Sequence, residues 1–400
     1  MPPKTALVLG GGGARAAYEA GVLRYLATGL PKDIRRKIRF DIIVGTSSGA
    51  INGAFMAAGA AQPLEAAVAL ADRWCKISMH DIYRVRGRTY LQLVRLVLGG
   101  GLLQDPALLD VSAVYQMVNE EIDWSAIDRC ISTGCLDAFA VSATEVATSR
   151  NIVFIHGSDS NMPLWKSKNP YIRPRSVSMR AEHVLASASI PILFPPVQVE
   201  GRYYLDGGLR QNTPLRPALR LGAERMLVFS LRKVLTVEEG DRLSEERCGV
   251  KPTWGQVIGK TMNAVLLDRA GHEVERLERI NKVLRWGNEE FGEPFDEGYG
   301  QIMTDNRGAA YQEVQCRLIA PGHDIGRMAQ EYVMGGHLSK DVEPMTRRIL
   351  MLFARMGTAG ENDVLSYLVF DPAFLESLVK LGEQDAADMH DELCAFFSFD

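Results

Sequence analysis

The sequence predicts an α/β fold, a three-layer sandwich with a mostly parallel central sheet, followed by a helical C-terminal extension. Three observations predict it. Short apolar runs rich in strand formers, Thr5–Leu9 and residues 39–44 above all, each end in a glycine-containing turn. A segment with helical spacing follows each of them, residues 14–27 and 51–58. From Gly326 onward the pattern is helical through Phe397. Apolar runs interleaved with helices bury their faces best as a parallel sheet covered on both sides.

The elements follow in order. Residues 76–112 are less regular: Tyr83, Arg84, Arg86, Arg88 and Tyr90 precede a leucine-rich stretch at residues 91–98. This is a candidate amphipathic cap over a substrate site; a solvated helix packed on the core is the plainer account. Residues 136–143 and 151–156 read as strands, and the polar stretch 161–177 as a loop. Residues 182–189 form a short helix and residues 190–196 a proline-rich turn. A brief strand at residues 202–205 leads into Asp206. Residues 214–221 read as a helix, 225–231 as a buried strand, and 234–255 as a solvated connection. Helical spacing with alternating charge covers residues 261–284, and residues 313–320 make a last strand. The expected organisation is a catalytic unit at 1–330, with its motif core at 5–232, and a helical extension at 331–400.

Composition narrows the function. Hydrophobic residues are 46% and charged residues 24% of 400, so the chain buries a core without staples. The net charge of −4 gives no general pull toward nucleic acid. Six scattered cysteines lack CxxC spacing and read as reduced thiols. Thr5–Leu9 is too short for the apolar core of a signal peptide. Asn52, Gln62, Pro63 and Glu65 interrupt the richest apolar stretch, residues 50–71, so no membrane span is expected. The expectation is a cytoplasmic protein, with peripheral contact at the inner membrane surface left open. No histidine pair has HExxH spacing and no acidic loop resembles a calcium site, so neither metal nor cofactor is expected.

Three motifs carry chemistry. Gly45-Thr46-Ser47-Ser48-Gly49 joins a strand to a helix, the setting a G-x-S-x-G nucleophile elbow needs. Gly45 and Gly49 let strand and helix approach closely, and the turn pushes the Ser47 hydroxyl out at the sheet edge. An ordinary serine in a tight turn is the bland alternative, and Ser48 is off the motif's centre. Gly10-Gly11-Gly12-Gly13-Ala14-Arg15 follows the first strand. Its N–H groups can converge on an oxyanion, and Arg15 can add charge or bind a lipid phosphate. Gly11, Gly13 and Ala16 also fit a dinucleotide fingerprint, but the second strand ends without the acid that would bind ribose. Asp206-Gly207-Gly208 offers a base at a strand end, or else a common Asp-Gly turn. Among the seven histidines, His323 is the best rival as a triad base; a loop histidine at a helix start is the preferred reading.

The order glycine loop, serine elbow, Asp-Gly-Gly resembles that of the patatin-like phospholipase family. Residues Ala186-Ser187-Ala188-Ser189-Ile190-Pro191, Phe194-Pro195-Pro196 and Asn212-Thr213-Pro214 look like the segments flanking its catalytic aspartate. The resemblance is specific over about residues 5–232. It is softer at Leu266-Leu267-Asp268-Arg269 and over residues 365–375, including Phe370-Asp371-Pro372, which look like the tails of bacterial members. It implies a Ser–Asp dyad without histidine, with Ser47 as nucleophile, Asp206 as base, and Gly11, Gly12, Gly13 and Arg15 in the oxyanion loop. Where the family usually has glycine after the basic residue, this chain has Ala16. The expected activity is hydrolysis of acyl esters of phospholipids or lysophospholipids through an acyl-enzyme. An acyltransferase or thioesterase with the same dyad is the close alternative, and a relict binding protein or a nucleotide-binding protein the distant ones.

Overall fold

The computed structural model describes residues 3–85, 107–158, 170–251, 270–307, 312–356 and 363–398, with residues 257, 259–261 and 263–264. Arg86, Arg88, Tyr90 and residues 91–98 of the candidate cap, and Leu266 to Arg269, lie outside the described residues.

Nine strands among the described residues form one sheet. They are β1 (Thr5–Leu9), β2 (Ile42–Thr46), β3 (Ala138–Glu145), β4 (Asn151–Gly157), β5 (Ile172–Ser176), β6 (Val197–Val199), β7 (Arg202–Asp206), β8 (Arg225–Phe229) and β9 (Gln315–Ile319). The order is β5-β4-β3-β2-β1-β8-β9. The strands from β3 across to β9 are mutually parallel. β4 turns antiparallel to β3 and β5 runs parallel to β4, while the β6–β7 hairpin joins β3 in antiparallel sense.

Side chains alternate across the central strands, as pleating requires. Leu7 and Leu9 of β1 face one core with Ala20, Leu23, Phe139 and Leu378. Ala6 and Val8 face the other with Leu215, Ala218, Val274 and Leu277. The sheet is therefore covered by helices on both sides, which makes the three layers expected from the sequence.

The first core holds α1 (Ala17–Thr28), α2 (Ser48–Ala58), α3 (Pro63–Trp74), α4 (Ser112–Glu121) and α5 (Ala181–Ser187). The C-terminal helices α6 (Asp363–Leu368) and α7 (Pro372–Asp388) belong to the same core. α7 lies against α1 so closely that a Cβ on Gly21 would meet the Val379 carbonyl oxygen at 2.0 Å, and one on Gly382 the Tyr18 carbonyl oxygen at 2.2 Å. The helical extension is thus packed onto the start of the chain by backbone-to-backbone contact.

Two segments differ from the sequence reading. The polar stretch 161–177 contains β5, an edge strand whose Arg173 is exposed and whose partner is β4 on one side only. Its charged residues mask the strand because an edge strand need not bury both faces. The connection 234–255 contains the helix Val237–Glu246, which buries no residue. A capping box between Thr236 and Glu239 starts it, so its signal is local and not an apolar periodicity.

Candidate active site

Parallel pairing brings the three motifs to one edge. Leu9 of β1 pairs with Gly45 of β2, so the glycine loop and the serine elbow leave the sheet side by side. Thr46 pairs with Ser142 of β3, and the next residue, Ala143, pairs with Asp206 of β7. Ligands of open α/β sheets bind beyond the carboxyl ends of the strands, where this site lies.

Ser47 has φ 55° and ψ −128°, a strained conformation for a residue with a side chain. The close approach it needs depends on the flanking glycines. A Cβ on Gly45 would lie 2.4 Å from the Gly49 carbonyl oxygen, and one on Gly49 would lie 2.4 Å from that of Gly10. The elbow is held from below by Ser187, whose Oγ accepts the Ser47 N–H at 2.9 Å and donates to the Ser142 carbonyl at 2.6 Å.

The Ser47 hydroxyl donates to Asp206 Oδ2 at 2.6 Å. The other oxygen, Oδ1, accepts the Gly208 N–H at 2.7 Å. Asp206 is 1% exposed. Burial drives its pKa from 3.8 up to about 7, against the opposing pull of the Ser47 and Gly208 hydrogen bonds. Among the described residues no histidine hydrogen-bonds Ser47 or Asp206. His323 is exposed, in the loop before the helix Ile325–Met334.

The glycine loop surrounds the hydroxyl. A Cβ on Gly11 would meet Ser47 Cβ at 2.7 Å and Asn212 Oδ1 at 2.6 Å, and Asn212 Nδ2 donates to the Gly11 carbonyl at 3.1 Å. The Gly12 N–H donates to Ser48 Oγ at 3.0 Å, which gives the second serine of the elbow a task. Gly13, at φ 59°, rests on α6, where a Cβ would lie 2.4 Å from the Tyr367 carbonyl oxygen.

Arg15 is placed differently from the glycines. It is 2% exposed, and its guanidinium donates to Ser366 Oγ at 2.7 Å, Asp363 Oδ1 at 3.0 Å and the Leu231 carbonyl at 3.1 Å. It also stacks over the Tyr367 ring at 5.2 Å. Its charge is engaged by α6 and Asp363, so Arg15 fastens the loop to the C-terminal helices. Asp363 carries no signal in the sequence, and Ser366 and Tyr367 stand out only as part of the stretch 365–375 that resembles the tails of bacterial members. No spacing could have found them, because they lie some 350 residues from Arg15.

An apolar pocket adjoins Ser47. Ile51 and Phe55 of α2, Trp74 of α3, Val118 of α4, Leu185 of α5 and Phe370 line it, together with Gly13 and Ser47. Trp74 and Phe370 stack at 6.4 Å. Among the described residues, no helix is long and apolar enough to cross a membrane.

A strained serine at a strand-to-helix turn, hydrogen-bonded to a buried aspartate beneath a glycine loop, defines an α/β protein with a serine–aspartate site. The profile of the patatin-like phospholipase family matches residues 7–219, and the chain belongs to that family. An uncharacterized NTE family protein of Mycobacterium tuberculosis (strain ATCC 25618 / H37Rv) is 25% identical over 232 residues, 57% of this chain and 49% of that protein. The chain therefore spans about half the length of the curated relatives it matches. Among solved structures, VipD from Legionella pneumophila aligns over 96% of this chain and 93% of its own, at 12% identity and a TM-score of 0.29. Full-length ExoU in complex with SpcU, from Pseudomonas aeruginosa, aligns over 92% and 70% at 16% identity and a TM-score of 0.26.

Proposed function

We propose that the protein is a lipid acyl hydrolase that cleaves phospholipid or lysophospholipid esters through a Ser47–Asp206 dyad. The observation that carries this reading is the 2.6 Å hydrogen bond from the strained Ser47 hydroxyl to a buried carboxylate. Asp206 takes the Ser47 proton as Oγ attacks the ester carbonyl. The N–H groups of Gly11 and Gly13, with that of Ser48 at the start of α2, receive the developing oxyanion. Gly12 and Arg15 shape the same loop through Ser48 and Asp363. The proton on Asp206 passes to the leaving alcohol, and water activated by the freed carboxylate then releases the fatty acid. The apolar pocket beside Ser47 suits one acyl chain, and its lining supports a lipid substrate over a polar ester.

Labelling with a fluorophosphonate tests the dyad. Wild-type protein is expected to label, Ser47→Ala to lose the label, and Asp206→Asn to label far more slowly. Release of fatty acid from a phospholipid and lysophospholipid panel then identifies the substrate. An acceptor alcohol that diverts the acyl group from water would replace hydrolysis by transfer. Labelling that persists in Ser47→Ala would remove the nucleophile and the reading with it.

A further inference from the structure

Glu19 is a buried acid that the dyad does not use. It sits in the first turn of α1, is 0% exposed, and forms no ion pair among the described residues. An isolated buried carboxyl is costly unless its oxygens are satisfied. Both are. Oε1 accepts the Gly10 N–H at 2.8 Å, and Oε2 accepts Asn52 Nδ2 at 2.9 Å. Asn52, in α2 one turn past the elbow, also donates to the Ala16 carbonyl at 3.1 Å and accepts Trp74 Nε1–H at 2.8 Å.

The glycine loop thus divides its N–H groups. Gly10 gives its proton to Glu19 and Gly12 to Ser48. Gly11 lies against Ser47, and Gly13 lines the pocket; neither N–H has a hydrogen-bond partner among the described residues. Alternate amides anchor the loop while those between them remain for a ligand.

We propose that Glu19 is the positioning residue of the oxyanion loop, fixing Gly10 so that the Gly11 and Gly13 N–H groups point at the carbonyl attacked by Ser47; this rests on the hydrolase reading above. The geometry demands two acceptor oxygens, which a carboxyl group supplies whether or not it carries its proton. Both groups facing residue 19 are donors, so the side chain must accept twice. Glutamine, of the same shape, turns an N–H toward one of them. Preorganised donors act in the transition state and not in substrate binding. The effect therefore falls on kcat.

Glu19→Gln tests this by two independent readouts, with circular dichroism establishing that the variant is folded. With a short-chain p-nitrophenyl ester, kcat is expected to fall by roughly 10- to 100-fold while KM stays within about threefold. By mass spectrometry, amide hydrogen exchange over residues 10–13 is expected to quicken about tenfold in the variant. Unchanged kcat together with unchanged exchange overturns the proposal, as does a parallel loss of kcat and protein fold without the kcat-against-KM split. A wild-type protein that neither labels nor hydrolyses sinks the hydrolase reading. In that case the exchange rates decide whether Glu19 holds the loop.

Discussion

The Ser47 hydroxyl points at Asp206 Oδ2 across 2.6 Å, in a site where Asp206 is 1% and Ser47 5% exposed. A local turn and a strand pairing together make this contact between residues 159 apart in sequence. The elbow forces Ser47 outward, and the β3–β7 pairing delivers Asp206 beside it.

The proposed role of Asp206 as base predicts a pH dependence. The base must be ionised to take the Ser47 proton, and the Asp206 pKa is about 7. The rate constant kcat/KM for a neutral ester is expected to rise through pH 7 and level off above pH 8. A profile already flat from pH 5 upward would assign the base elsewhere. The measurement is initial rate against pH in a constant-ionic-strength buffer.

The same burial makes the site costly to keep. Asp206 at about 7 and Glu19 at about 8 both lie above the values near 4 of an unfolded carboxyl. The native state then holds more protons than the unfolded state between those limits. Their contribution to stability is fully present below about pH 4 and lost as pH rises through 7 and 8. Asp206→Asn removes one such loss. Its carbonyl can accept the Gly208 N–H while its amide donates to Ser47, so no partner is orphaned. Asp206→Asn is expected to melt above wild type at pH 8. The gap closes toward pH 5. Scanning calorimetry at both pH values checks the direction.

The elbow glycines tolerate no methyl. Gly45→Ala would set a Cβ 2.4 Å from the Gly49 carbonyl oxygen and 2.6 Å from Ala50 Cα, both backbone atoms that cannot rotate away. Overpacking of this kind costs about 1–3 kcal/mol or more. A lower urea midpoint is expected, together with loss of fluorophosphonate labelling, because strand and helix can relieve the clash only by moving Ser47. Gly240→Ala, inside the helix Val237–Glu246 with nothing within 4 Å, serves as the control and is expected to hold or raise the urea midpoint.

The Arg15–Asp363 pair ties the glycine loop to a segment outside the matched family region. Its side chains are 2% and 9% exposed. Asp363→Ala would leave a guanidinium buried without its carboxylate, and is expected to cost about 3–5 kcal/mol in urea unfolding. Arg15→Met with Asp363→Leu removes both charges at once and should recover most of that loss. Equal instability of the single and double variants would show that the contact is packing and not charge.

The sequence by itself determined the layers and the order of the chemistry. Apolar runs such as Thr5–Leu9, ending in glycines, carry β1 and its loop in a stretch of ten residues, and the Gly45–Gly49 pentapeptide specifies its own turn. Such features are legible because the physics acts between neighbours: a Cβ excluded here, an alternation there. β5 and the helix Val237–Glu246 escaped because neither buries an apolar face of its own. Only tertiary structure decided the employment of the charged groups. Arg15 reads as a cation for substrate, and folding spends it on Asp363 and Ser366. Glu19 falls unremarked in the helical stretch 14–27, and folding surrounds it with two donors from different elements. A charge has no periodicity to betray its partner. What it does is set by the groups that long-range packing brings within about 3 Å, where hydrogen bonds form.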